Sequence, residues 1–200
     1  MTDVEVVDVG TRACLVEVDD AVAAASLAAW VRGAGLAVEE VVPAARTVLL
    51  DGVDPAAVRA LLPGWSAERA AVPGPLVSVA VRYSGPDLER VAGHWGCTVE
   101  EVVELHTSLE FTSTFCGFAP GFAYLAGLPA DRAVPRLETP RARVAPGSVA
   151  LADTWCGVYP TASPGGWLLL GTTDADLWDV GRAEPALLAP GTRVRFEARR

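Results

Sequence analysis

The feature that most constrains this chain is where its prolines fall: nine of the fifteen lie beyond residue 110, spread among short β-prone runs. Proline lacks a backbone N–H and clashes with the preceding helical turn, so this half cannot be helical and cannot hold long central strands. Pro-Gly pairs at 120, 146, 164 and 190 suit turns in which proline fixes one backbone angle and glycine supplies a positive φ. The expected result is a barrel or compact sandwich of short strands.

The first half has a different rhythm. Val4–Val9, Arg12–Val18, Leu36–Val42 and Thr47–Leu50 read as strands, and Asp20–Arg32 and Asp54–Leu62 as helices. Asp20 and Asp54 are the expected N-caps, Pro55 takes the first helical position, and Gly33 and Gly35 end the first helix. Pro63-Gly64 and Val72-Pro73-Gly74-Pro75 interrupt the pattern, which places a domain boundary near residue 74. The fold class is therefore α+β: a small N-terminal α+β sandwich over residues 1–74, followed by a β-barrel domain over 75–200. Leu76–Tyr83 opens the second domain as a strand. Two helices follow, each announced by a Ser/Thr-x-x-acid capping box, Ser84 to Asp87 and Thr98 to Glu101. The second carries Val99, Val102, Val103 and His106 at helical spacing, which puts His106 on a buried stripe.

Composition removes several kinds of chemistry. The formal net charge is −9, and all 16 basic residues are arginine. An acidic surface argues against nucleic acid or an anionic membrane as a general partner. Without lysine there is no Schiff base, no phosphate-loop lysine and no biotin attachment point, so ATP used in any reaction belongs to a partner. No cofactor is expected on this chain. The four cysteines, Cys14, Cys97, Cys116 and Cys156, lack the paired spacing of a metal site, and no metal is expected. The N-terminus has no secretory pattern, and the longest apolar stretch, Ala21–Val31, falls well short of the ~20 residues of a membrane span, so the cytoplasm is the expected location.

Three segments have the composition of a site. Gly117 to Leu125 sets Phe118, Phe122 and Tyr124 around Pro120-Gly121; such a loop either holds ring faces against a flat ligand or packs the end of a barrel. Arg132, Arg136, Arg141 and Arg143 face only Asp131 and Glu138 as neighbouring acids, a surplus that either grips a carboxylate or phosphate by forked hydrogen bonds or pairs with the molecule's own acids. Ser163-Pro164-Gly165-Gly166-Trp167, preceded by Gly157-Val158-Tyr159-Pro160, offers backbone amides that a ligand can approach, or simply a tight turn. Of the two histidines, His94 sits beside Trp95, and His106 is either a satisfied core residue or a proton carrier.

Taken in order, Leu105-His106, the Gly117–Leu125 run, Thr139-Pro140-Arg141-x-Arg143-Val144, Gly147-Ser148-Val149-Ala150, Gly157 to Pro160, Ser163 to Trp167 and Pro190-Gly191-x-Arg193-Val194-x-Phe196 resemble the family of KipI and the 5-oxoprolinase B component, also known as allophanate hydrolase subunit 1. The resemblance covers nearly all of residues 79–196. It implies a cyclophilin-like barrel, two partner subunits (C, with a related barrel, and A), and ATP-dependent opening of a small cyclic amide by the assembled complex, the chain being inactive alone. It also implies His106 and Arg141 as catalytic residues, with Phe118, Pro120, Gly121, Tyr124, Arg143, Tyr159, Pro164, Gly165 and Gly166 lining the substrate. The KipI name implies an alternative, inhibition of histidine-kinase autophosphorylation. Prolyl isomerisation would follow only from fold analogy, since architecture does not transfer activity. The chain departs from the family pattern at Asp153-Thr154-Trp155-Cys156, at Thr172 and at Ala145-Pro146-Gly147. There an indole and a hydroxyl replace an amide and a guanidinium, which changes the available hydrogen bonds.

Overall fold

The structure, a computed structural model, describes residues 4–66 and 74–199. The chain forms two compact units, Met1–Pro73 and Gly74–Arg200.

In the first unit β1 (Glu5–Asp8), β2 (Ala13–Glu17), β3 (Glu40–Pro43) and β4 (Thr47–Asp51) form one antiparallel sheet in the order β1-β2-β4-β3. Helix α1 (Ala21–Gly33) starts where the Asp20 carboxylate accepts from the Ala23 N–H, and α2 (Pro55–Leu61) where Asp54 accepts from Ala56. Alanines 23, 24 and 28 are small enough to bring α1 close to the sheet, and Leu27 and Val31 bury themselves with Val16, Val48 and Leu50. The expected strand from Leu36 begins only at Glu40. Glu39 N–H bonds to Asp51 O, after which the partner strand turns away at Gly52 with φ +72; Leu36 and Val38 are apolar for the core and have no ladder to join.

The second unit contains β5 (Leu76–Val81), α3 (Leu88–Trp95), α4 (Val99–Ser108), β6 (Glu110–Cys116), β7 (Ala123–Ala126), β8 (Arg141–Val144), β9 (Ser148–Ala152), β10 (Trp155–Val158), β11 (Ser163–Gly165), β12 (Leu168–Thr172) and β13 (Arg193–Ala198). Seven of these strands make a mixed sheet in the order β12-β9-β10-β7-β6-β13-β5, in which only β13 and β5 run parallel. Its two edges meet at one rung: Arg82 and Thr172 exchange both backbone hydrogen bonds, at 2.8 and 3.0 Å. The sheet is thus a nearly closed barrel, which leaves little unpaired edge. Strands β8 and β11 form a separate antiparallel ribbon.

Alternation along the strands sorts the residues. On β7, Ala123 and Leu125 point into the barrel and Tyr124 points out; on β9, Val149 and Leu151 point in and Ala150 and Ala152 out; on β12, Leu168 and Leu170 point in and Leu169 out. The inward set joins Phe111, Val194 and Phe196 in the main core. Each fully buried leucine or phenylalanine there contributes about 1.5–3 kcal/mol.

Local signals that the sequence offered were used unevenly. Thr98 and Glu101 form the expected reciprocal capping box of α4. Asp87 caps nothing with its side chain, and its carboxylate is spent on Arg141 and the Leu169 N–H instead. Gly121, Gly147 and Gly191 take the positive φ expected of Pro-Gly turns, whereas Pro164-Gly165 lies in β11 as extended strand.

Candidate functional site

The expected site residues separate onto two faces of the same sheet. His106 projects from α4 into the barrel core, with no exposed surface. Its Nδ1 lies 2.7 Å from the Tyr83 hydroxyl and its Nε2 3.4 Å from Cys156 Sγ, and its ring sits 4.6 Å from that of Phe196 and 5.2 Å from that of Phe111. Burial lowers its pKa to about 3, so the imidazole stays neutral across the physiological range. Burial also pushes the Tyr83 phenol and the Cys156 thiol up, keeping both protonated. Where His106 was expected to carry protons for a reaction, both ring nitrogens have protein partners in this structure and the ring has no exposed surface. Of its two sequence-level readings, the satisfied core residue is the one the geometry supports.

The outer face of the same strands carries an aromatic cluster. Tyr124 stacks on Phe115 at 4.3 Å and meets Trp155 and Trp167 edge-on; Phe122 meets Tyr124, Tyr159 and Trp167 edge-on. Contacts of this kind add about 0.5–1.5 kcal/mol per pair beyond area burial. Gly157 makes the closure possible, because a Cβ there would lie 2.9 Å from the Phe122 ring and 3.1 Å from the Trp167 ring. Trp155, one of the departures from the family pattern, is part of this packing. Phe118 stands apart: it is 61% exposed and holds φ +67, a left-handed conformation that costs a side-chain-bearing residue about 1–2 kcal/mol. A large exposed ring in strained backbone belongs to a site more readily than to a core.

The β8–β11 ribbon lies over this cluster. Gly165 rests on the Tyr159 hydroxyl, which a Cβ would overlap. The Gly166 carbonyl accepts from the Leu137 N–H at 2.7 Å, tying the 136–140 segment to the ribbon. Arg141 is committed elsewhere. Its Nη2 donates at 2.8 Å to both oxygens of Asp87, a carboxylate almost wholly buried, and its Nη1 donates to Trp167 O at 3.4 Å. The expected catalytic guanidinium is therefore a strut that joins the ribbon to the start of α3 and to β12. Arg132 is likewise used, donating to Trp95 O and lying over the Trp95 ring. Among the described residues, the guanidinium groups of Arg136 and Arg143 enter no ion pair and no hydrogen bond.

Beside this face the loops at one end of the barrel enclose a cleft of about 490 Å³, lined by Pro120, Pro146, Pro160, Thr161, Thr173 and Trp178 among others. Pro120 is the one expected site residue on its wall, while Gly121 lets Trp178 approach, its Cβ position lying 2.9 Å from that of Trp178. Asp174 and Asp176 also line the cleft, paired with Arg199 and Arg182, and no arginine is among the described residues of its wall to hold an anionic ligand. The structure thus brings together Phe118, Tyr124, Tyr159, Pro164, Gly165 and Gly166, and leaves His106 on the other side of the sheet. Sequence reasoning missed the Asp87 contact, which was hidden behind a capping-box spacing, and the Trp178 loop, which carries no motif.

Residues 4–188 match the family described as the carboxyltransferase domain, subdomain C and D. The B component of 5-oxoprolinase from Escherichia coli is 44% identical over 144 residues, covering 70% of this chain and 66% of that protein. Its namesake from Bacillus subtilis is 41% identical over 124 residues, covering 60% and 52%. The chain thus spans between about half and two thirds of the length of these curated relatives. Among solved structures, TTHA0988 superposes with a TM-score of 0.78 at 35% identity, over 95% of this chain and 40% of that one. The Kluyveromyces lactis urea amidolyase shares the fold, with a TM-score of 0.71 at 17% identity, over 98% of this chain and 15% of that one. On that match across nearly its whole described length, the chain belongs to the family of carboxyltransferase domains, subdomain C and D.

Proposed function

We propose that this chain is the B component of an ATP-dependent 5-oxoprolinase or closely related allophanate-type amidohydrolase, working only with partner subunits A and C. The observation that carries the reading is the 40–44% identity to three relatives, each of them named as the B component of 5-oxoprolinase. The outer face supports it. An aromatic floor, glycine backbone and unpaired arginines suit a small, flat, anionic amide such as a lactam carboxylate.

A lactam is a stable amide, and its hydrolysis needs activation of the carbonyl. A chain without lysine has no phosphate-loop residue to hold ATP, so the nucleotide belongs on a partner and the cyclophilin-like barrel contributes substrate recognition. Burial raises the Tyr159 pKa, against the opposing pull of the Trp167 N–H and of Arg136, so the phenol is a proton donor rather than a base at neutral pH. Tyr124, Gly165 and Gly166 shape the surface next to it, and the work takes place in the cytoplasm.

The test is to co-express the chain with its genomic neighbours, purify the assembly and measure 5-oxoproline-dependent ATP hydrolysis. The expected outcome is turnover by the assembly and none by the chain alone. A properly assembled complex that hydrolyses no ATP with 5-oxoproline or allophanate would sink the reading.

A further inference from the structure

Four arginines crowd the stretch from Arg132 to Arg143, and the structure distinguishes them by what they already hold. Arg141 is saturated by the buried Asp87 carboxylate and Arg132 by Trp95. Arg136 and Arg143 are unpaired among the described residues. Arg143 lies within β8 of the ribbon itself, whereas Arg136 is the one placed beside Gly166: its neighbour Leu137 is bonded to Gly166 O at 2.7 Å, and its Nε lies 3.7 Å from where a Cβ of Gly166 would sit. Its charge also reaches the Tyr159 hydroxyl, whose acidity it increases. Gly166 has no positive φ, and nothing lies closer than 3.6 Å to its Cβ position. An alanine would fit there in ordinary van der Waals contact, so the glycine is not demanded by the fold; what it leaves is room for a methyl-sized group beside a guanidinium. Ser163, two positions before Gly165, adds a buried hydroxyl with no protein partner, next to a bulge in the ribbon.

We propose that Arg136, over the space left by Gly166 and beside the Tyr159 hydroxyl, is the carboxylate-recognising residue of this face, with Arg141 as the strut that holds the ribbon beneath it. This inference deepens the functional reading and rests on it for the identity of the substrate. It does not rest on it for the site itself. A forked guanidinium with both edges free offers a carboxylate two parallel hydrogen bonds, which Arg141 cannot do while Asp87 occupies it. The aromatic cluster next to it supplies ring surface for the apolar side of the same ligand, with exposed Phe118 meeting Tyr159 edge-on.

The experiment is a nitrogen-15 NMR titration of the full chain, read at the Arg136 Nε–H and the Trp167 backbone amide. Three ligands are added in turn: N-acetylglycinate, 5-oxo-L-proline and the neutral 5-oxo-L-prolinamide. Saturable shifts with the carboxylates are expected, and binding about tenfold weaker for the neutral amide. Arg136→Gln is expected to abolish the difference between acid and amide while leaving the melting temperature unchanged, because the side chain is exposed and has no partner to lose. Gly166→Ala is expected to weaken both carboxylates with the fold intact. The inference is overturned if no carboxylate saturates, if the amide binds as well as the acid, or if Arg136→Gln binds carboxylates like the parent chain. Saturation by N-acetylglycinate with none by 5-oxoproline would uphold the subsite and overturn the lactam as its ligand.

Discussion

The two faces of the β7-β10-β9-β12 sheet use similar residues to opposite ends. Inside, a histidine, a tyrosine and a cysteine satisfy one another, sealed by Phe111 and Phe196. Outside, Tyr159, Tyr124 and Trp167 are packed just as tightly, yet the surface ends in an exposed Phe118, a glycine with room for a methyl group and an unpaired arginine. Chemical potential follows unsatisfied valence rather than residue type. A titratable group whose hydrogen bonds are complete is inert, and one whose partners are missing is available to a ligand.

The contrast breaks most readily at the strut between the faces. Arg141→Met would leave the Asp87 carboxylate buried with only the Leu169 N–H and should cost about 3 kcal/mol, allowing for the partial exposure of the arginine. Urea denaturation of the isolated chain checks it, and a loss below about 1 kcal/mol would mean the pair is ornamental. The inner face makes a pH prediction. His106 binds its proton in the unfolded chain below its ordinary value of 6.5 but in the fold only near 3, so the unfolded state takes up more protons in between. Stability is therefore fully present above 6.5 and falls on acidification through that window, by roughly 2–3 kcal/mol between pH 7 and pH 4. His106→Leu should be less stable at pH 7, with Tyr83 left short of a partner, and should show a shallower acid slope. An unchanged slope would contradict a neutral buried imidazole.

The adjacent glycines sharpen the comparison at smaller scale. Gly165→Ala drives a methyl into the Tyr159 hydroxyl and should cost about 1–3 kcal/mol, whereas Gly166→Ala should stay within about 0.5 kcal/mol. Equal melting temperatures for the two variants would show that the ribbon does not sit on Tyr159. The smallest expected effect is Phe118→Gly, which relieves the left-handed strain but gives up edge contacts with Phe122 and Tyr159. The net change should be a gain of about 0.5 kcal/mol or less by thermal melting, with loss of ligand response on the outer face. A large destabilisation would make Phe118 a packing residue.

What was legible in advance follows from the range of the interaction involved. Asp20, Asp54 and the Thr98–Glu101 box are satisfied within four residues, and each formed where the sequence placed it. The Ser84–Asp87 spacing looked equivalent, yet Asp87 was drawn off by an arginine 54 positions away, because a buried carboxylate gains more from a guanidinium than from a helix end. Burial of His106 was likewise legible from the helical stripe, while its neutrality and its Cys156 contact, 50 residues distant, were not.

By itself the sequence determined that the second half had to be short strands, with turns at three of its four Pro-Gly pairs, since proline and glycine act first on their own backbone; the fourth, Pro164-Gly165, became strand. It also excluded lysine chemistry, a matter of composition alone. Only the tertiary structure decided which two of four neighbouring arginines remain free, and on which side of one sheet each aromatic or histidine stands. Strand register and barrel closure are non-local: they bring Asp87 to Arg141 and Cys156 to His106 from positions that no window of sequence contains.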